Sequence, residues 1–219
     1  MRSLRKFMRP AMLSAAAAIA LGGCQTIKPY DYTNFRAHPP RSILVLPPLN
    51  ESNAVEGTYG YLSTVTYPIA ERGYYVFPVA VVDQFMKENG LPGAHEMQEA
   101  PLAKMAEVTG ADAVLFLDLK QYDSKYQVLA SVTRVEVTAK LLDSRSGILL
   151  WEGRGYAEQG SGNSGNILAN LVAAAVTQAI NKKTDRAHEI SRVANAALFD
   201  PEATGLPYGP YSAKYQKQP

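Results

Sequence analysis

The single cysteine of this chain, Cys24, follows directly on Gly22 and Gly23. Ahead of it stand Arg2, Arg5, Lys6 and Arg9, then an apolar run from Ala11 to Leu21. A cationic start, a short apolar stretch and small residues before a cut describe a secretory leader. The run of about 11 residues falls short of the roughly 20 that span a bilayer. Residues 1–23 are therefore expected to be removed, which takes the chain from 219 residues to 196, Cys24 to Pro219. With one cysteine no intramolecular disulfide can form, although an oxidising compartment would permit one. The mature chain must be held together by packing, and its length suffices for one domain with its own core. The formal charge of +2 includes the leader's four cations, so the mature chain carries −2. It lacks the basic stripe of a nucleic-acid binder, and no nucleic-acid partner is expected.

Gln25 to Arg41 reads as a spacer, so that residues 24–41 form a tether. Pro29, Pro39 and Pro40 disfavour regular structure there, while Tyr30, Tyr32 and Phe35 break its polarity. Extended, such a spacer reaches at most about 56–61 Å, and as a coil roughly 20–25 Å. Ile43-Leu44-Val45-Leu46, bounded by prolines, has the continuous apolar character of a strand buried on both faces. Leu62, Val65 and Ile69 predict a helix over Tyr59–Arg72, kinked or restarted at Pro68 and ended by Gly73. Tyr74–Val79 reads as a second strand. Val81–Asn89 reads as a short helix with Val82, Phe85 and Met86 inward, Pro101–Thr109 as another helix, and Ala113–Leu119 as a third buried strand. Val135, Val137, Ala139 and Leu141 alternate with polar residues, as in a half-buried strand, and Ile148–Ala157 returns as its hairpin partner after the turn at Asp143–Gly147. Upstream, Val128, Ala130 and Val132 are in the opposite phase, which predicts a bulge or crossing near Thr133. Two helices follow, alanine-rich Asn166–Ile180 and more polar Asp185–Leu198. The expected fold is α/β (α+β): a mixed sheet of about five strands with helices packed on it, in the order β-α-β-α-α-β-β-β-α-α over residues 42–199. Residues 200–219 form an irregular tail rich in Pro and Tyr.

Gly160 to Gly165 spells the letters of a dinucleotide fingerprint between a strand and a helix, but no βαβ unit follows and Asp185 stands at a helix start. A solvated loop capping the next helix is the better reading. His38, His95 and His188 are scattered, so no metal site or cofactor is expected. Carboxylates such as Glu51, Asp112, Asp118 and Asp123 could pair as in a glycoside hydrolase, which spacing does not settle. No catalytic constellation assembles from them, and the chain is read as a non-enzyme. Tyr59, Tyr61 and Tyr67 on the first helix read as buried aromatics with bonded hydroxyls. Tyr208, Tyr211 and Tyr215 in the tail form either a partner-docking segment or a disordered end. Cys24 by itself is an acylated anchor or a free thiol.

The stretch from Arg41 through Pro48 to Asn50-Glu51-Ser52 resembles a known family when taken with two others. These are Tyr59–Val82, with Gly73-Tyr74-Tyr75-Val76, and Gly110-Ala111-Asp112-Ala113 continuing through Asp143 to Trp151 and Gly153. With Leu21-Gly22-Gly23-Cys24 they resemble the bacterial lipoprotein family of unknown function typified by a neisserial genome-derived surface antigen. More distantly the chain is similar to the TolB amino-terminal domain, the curli secretion lipoprotein CsgG and the cell-wall synthase activator LpoB. The resemblance implies a diacylglyceryl thioether and N-acylation at Cys24, worth about 0.8 kcal/mol per buried methylene. Gln25 after the cysteine implies the outer membrane, with the domain in the periplasm or exposed at the surface. It implies binding to envelope proteins, a CsgG-like secretion lipoprotein among them, in an accessory or assembly role. The alternative is an activator of a penicillin-binding protein. The alanine-rich helix from Asn166 reads as packed on the sheet, with self-association into a homo-oligomer as its other use. A CsgG-type pore is not expected, because the Val135–Ala157 hairpin is too charged to face lipid.

Overall fold

The computed structural model describes residues 28–127, 130–160 and 186–215. Cys24, the leader, the glycine loop beyond residue 160 and the expected helix Asn166–Ile180 lie outside the described residues. Six helices and six strands are present among them: α1 (Thr33–Ala37), β1 (Ser42–Val45), β2 (Leu49–Asn50), α2 (Gly57–Glu71), β3 (Tyr75–Val76), α3 (Val79–Glu88), α4 (Ala94–Glu99), α5 (Leu102–Thr109), β4 (Ala113–Gln127), β5 (Ala130–Asp143), β6 (Leu149–Gly160) and α6 (Arg186–Phe199). The fold is the expected mixed α+β type, with a mixed six-stranded sheet ordered β3-β1-β4-β5-β6 and β2 also paired to β4.

β1 lies between β3 and β4, parallel to both. Its apolar run divides as a doubly covered strand must. Ile43 and Val45 enter the main core with α2 and α6, while Leu44 and Leu46 enter a second core with Val82, Met86, Met97 and Met105 from α3, α4 and α5. Pro47 and Pro48 interrupt the pairing with β4, which resumes at Leu49 and Asn50. Among the described residues the antiparallel half packs mainly through one face. There Val135, Val137, Ala139, Leu141, Trp151 and Ala157 face the main core. On the other face Arg134 pairs with Glu158 at 2.8 Å and Arg154 with Glu136 at 2.7 Å.

Several expectations are corrected. The helix α2 is not restarted at Pro68 but continues to Glu71. The proline leaves the Thr64 carbonyl without its helical donor, and Asn195 Nδ2 of α6 donates to that oxygen at 3.1 Å. The expected bulge near Thr133 is absent, since Thr133 is buried in phase with Val135. The register instead shifts on β4 between Leu119 and Gln121, leaving Lys120 as the extra residue. β4 is 15 residues long rather than ending at Leu119, and β3 keeps only Tyr75 and Val76. Residues 94–99, which lie between the two expected helices Val81–Asn89 and Pro101–Thr109, form α4, and its Met97 enters the second core. Phe85 does not turn inward with Val82 and Met86 but is 37% exposed.

The spacer and the tail differ most. From Tyr30 on, the supposed tether is part of the body: Phe35 of α1 is buried, and Tyr30 and Tyr32 pack on the main core. The tail is a strap rather than a loose end, with Leu206 fully in the core. The two segments hold each other. Tyr30 N donates to Ala203 O at 2.8 Å and Tyr32 Oη to Gly205 O at 2.6 Å.

Candidate functional site

The carboxylates do not converge on a reactive centre. Asp112 accepts from Arg41 N at 3.0 Å and from Ser42 N and Ser42 Oγ at 3.2 Å, which fixes the entry to β1 against the start of β4. Glu51 accepts from Lys120 Nζ at 2.5 Å, and Asp118 stands 3.9 Å from the same ammonium. The bulged lysine thus gathers two of the candidate acids into an ion cluster at the end of β2. The side chain of Asp123 lies outside the described residues. His38, His95 and His188 stand on separate elements; His95 reaches Glu99 at 3.4 Å and His188 reaches Ser63 at 3.4 Å.

One of the tail tyrosines, Tyr208, is held by Arg72. This arginine, at the C-terminal end of α2, is buried, and its Nη1 donates to Leu206 O at 2.6 Å while Nη2 meets Asp200 at 3.3 Å. Its guanidinium lies 4.7 Å from the centre of the Tyr208 ring, and Lys214 Nζ lies 5.1 Å from that centre. Cation–ring contacts of this kind favour the buried member most. Tyr74 Oη donates to Pro207 O at 2.6 Å, and burial raises its phenol pKa far above the usual range. Burial also pushes Tyr32 up to about 12. Gly73, at φ +86°, is where the strap crosses: a Cβ there would collide with Ser212. Tyr211 N donates to the Gly73 carbonyl at 3.1 Å. Tyr208 and Tyr215 are half-buried, and of the three Tyr211 is the one presented, at 70% exposure.

The first-helix tyrosines separate. Tyr61 is fully buried and donates to Asn195 Oδ1 at 2.5 Å. Tyr59 is tied to α3 through Asp83 at 3.2 Å and Lys87 at 3.0 Å. Tyr67 is exposed, as is Tyr75 on the edge strand β3, whose ring meets Phe77 edge-on at 5.1 Å. On α3, Val81 and Phe85 stand one turn apart at 65% and 37% exposure. This apolar pair was not legible as surface in the sequence, because residues 81, 82, 85 and 86 form one wide apolar stripe that can roll either way. The arrangement offers aromatic and aliphatic contact area on a rigid scaffold, which suits protein recognition.

Residues 30–211 match the family described as "Putative lipoprotein GNA1162-like". The chain belongs to this family. The match begins at the residue where the N-terminal segment joins the body and ends within the strap, so both belong to the family's unit. The GNA1162-like chain is 44% identical over 207 residues to the protein named "Putative lipoprotein NMB1124/NMB1162" of Neisseria meningitidis serogroup B, covering 93% of this chain and 96% of the relative. The crystal structure of lipoprotein GNA1162 from Neisseria meningitidis superposes with a TM-score of 0.54 at 46% identity, over 58% of this chain and 88% of that one. A weaker likeness, TM-score 0.42 at 18% identity, extends to the LpoB C-terminal domain from Salmonella enterica, over 59% of this chain and all of that one. No helix among the described residues is long and apolar enough to cross a membrane.

Proposed function

We propose that this lipoprotein is anchored in the outer membrane through acylated Cys24 and works by binding, as an accessory or assembly factor of a secretion or envelope complex. Its family membership supports the lipid anchor. The observation that carries the binding role is the division of its side chains. The candidate acids Asp112, Glu51 and Asp118 are engaged in structural pairs, while Tyr211, Tyr67, Val81 and Phe85 are left outward on well-packed elements. Enzymes place such polar groups around a cavity where they converge on one reacting atom. Here they close strand ends, and the apolar groups are the ones presented.

A photo-crosslinking amino acid placed at Phe85 or at Tyr211 in living cells tests the reading. A discrete crosslinked envelope protein, identified by mass spectrometry, is the expected result. Recovery of a secretion component supports the assembly role, and recovery of a penicillin-binding protein replaces it with synthase activation. Absence of any crosslink at both positions, with the protein in place, removes the binding role of these surfaces.

A further inference from the structure

The folded body begins at Tyr30, whose N–H donates to Ala203 O at 2.8 Å. Resting on the reading that Cys24 is the acylated residue, only six Cα-to-Cα steps connect the anchor to that point. Six steps reach at most about 20–22 Å, and as a coil roughly 12–15 Å. A compact body of about 190 residues has a radius of gyration of about 16 Å and is therefore about 40 Å across. Were the exit point turned to the far side of the body, the connection would have to span about twice its own reach. It cannot do so.

We infer that the lipid surface holding Cys24 is the partner of one defined end of this body, the end bearing Lys28, Glu202 and Ala203. The contacts orient the rest. The strap is tied to Arg72 at the C-terminal end of α2, so this end of α2 is turned to the bilayer. The 15 residues of α2 carry the chain about 22 Å away to Val55, which is fully exposed just before the N-terminal end of that helix. The β4 strand starts near the same lower end, since β3, which follows α2 directly, pairs Tyr75 with Ser42 and Val76 with Ile43, and Ile43 also pairs with Ala113, the first residue of β4. Its 15 residues span about 50 Å, so the β4–β5 hairpin carries its tip away from the membrane. The bilayer is met by the terminal end of the sheet, beside which Tyr211 stands on the strap, and α3, tied to Tyr59 near the far end of α2, and the hairpin end are left for protein partners.

Because the native chain has one cysteine and acylation consumes it, Lys28→Cys, Glu202→Cys and Val55→Cys each add a unique thiol at an exposed residue. The full-length acylated protein, labelled with a fluorophore at one of these and reconstituted into vesicles of phosphatidylethanolamine and phosphatidylglycerol, is quenched with headgroup spin-labelled lipid. Several-fold stronger quenching at positions 28 and 202 than at 55 is expected. Insertion of about 20 Gly/Ser residues between Thr26 and Ile27 lengthens the coil reach to roughly 25–30 Å, and the difference between positions 202 and 55 should then shrink. Equal quenching at 202 and 55 in the native-length protein overturns the orientation. A difference that persists unchanged after insertion overturns the short connection as its cause. A mature protein whose mass lacks the acyl chains and that does not float with vesicles overturns the anchor reading itself, and the orientation with it.

Discussion

Gln98 gives Leu117 the hydrogen bond that Pro48 cannot. In the parallel ladder Leu46 N donates to Leu115 O at 3.2 Å. The next acceptor along β4 is Leu117, and the residue facing it on the β1–β2 line is a proline without an N–H. The Gln98 amide from α4 donates to Leu117 O at 3.0 Å and to Pro47 O at 2.9 Å, and Glu51 N resumes the backbone pairing with Leu119 O at 3.0 Å. Replacing Gln98 by Leu strands two carbonyls, and an unmet buried polar group costs about 1–3 kcal/mol. A lower urea midpoint of that size is expected, with Gln98→Glu as poor as Gln98→Leu because a carboxylate cannot donate. Adding Pro48→Ala restores a donor, so the two changes should be less than additive in a double-mutant cycle.

Asn195 makes the matching repair in α2. Its Nδ2 reaches Thr64 O at 3.1 Å and Thr64 Oγ1 at 2.9 Å, its Oδ1 accepts from Tyr61, and Thr64 Oγ1 donates to Tyr61 O at 2.7 Å. The network is buried between α2 and α6. Asn195→Ala empties its centre and should destabilise by about 2–4 kcal/mol, the sum of a lost packing volume and unmet partners. Asn195→Asp should be equally harmful at neutral pH and partly recover in acid, where a protonated carboxyl can donate to Thr64. Thermal or urea unfolding at two pH values separates the two variants.

Arg72 decides whether the strap is held. Charged-group hydrogen bonds are worth about 1.5–3 kcal/mol, and Arg72→Ala removes those to Leu206 and Asp200 together with the ring contact to Tyr208. The expected result is a strap cut by protease at low enzyme concentration while β1, β4 and β5 stay protected in hydrogen exchange. Arg72→Lys should rescue little, since an ammonium cannot serve Leu206 and Asp200 from one planar fork. Unchanged proteolysis of residues 200–215 in Arg72→Ala would show that Leu206 alone holds the strap.

Acid should act through the turn before β6. Burial pushes the Asp143 carboxyl up, but bonds donated by Ser146 and Arg145 outweigh it and hold the pKa below the ordinary 3.8. A carboxyl depressed in the folded state stabilises above its unfolded pKa, and that contribution is lost as pH falls through the lower folded value. Stability should therefore decline below about pH 4. Asp143→Asn, which still accepts but does not titrate, should flatten that decline in a pH series of urea midpoints.

Much of the fold was legible because its signals are local. The Ile43–Leu46 run states burial on both faces, Leu62, Val65 and Ile69 state one helix face, and the alternation from Val135 to Leu141 states one sheet face. All of these residues are buried as that patterning requires. The site was less legible. Tyr208 read as part of a docking segment or a disordered end because the buried arginine beneath its ring is more than a hundred residues away in the chain. Phe85 read as core because a wide apolar stripe does not say which flank finds a neighbour.

The sequence by itself determined that β1, β4, β5 and β6 are strands, which face of α2 is buried, and that packing rather than an intramolecular disulfide must hold them. Tertiary structure alone decided that Tyr30–Phe35 and residues 203–212 belong to the body, that the register slips at Lys120 and not at Thr133, and that Gln98 and Asn195 make good two proline defects. The reason is one of range. Periodicity and turn chemistry act between neighbours in the chain, whereas a carbonyl left open by proline, or an aromatic ring with no local partner, is satisfied by whatever the fold brings beside it.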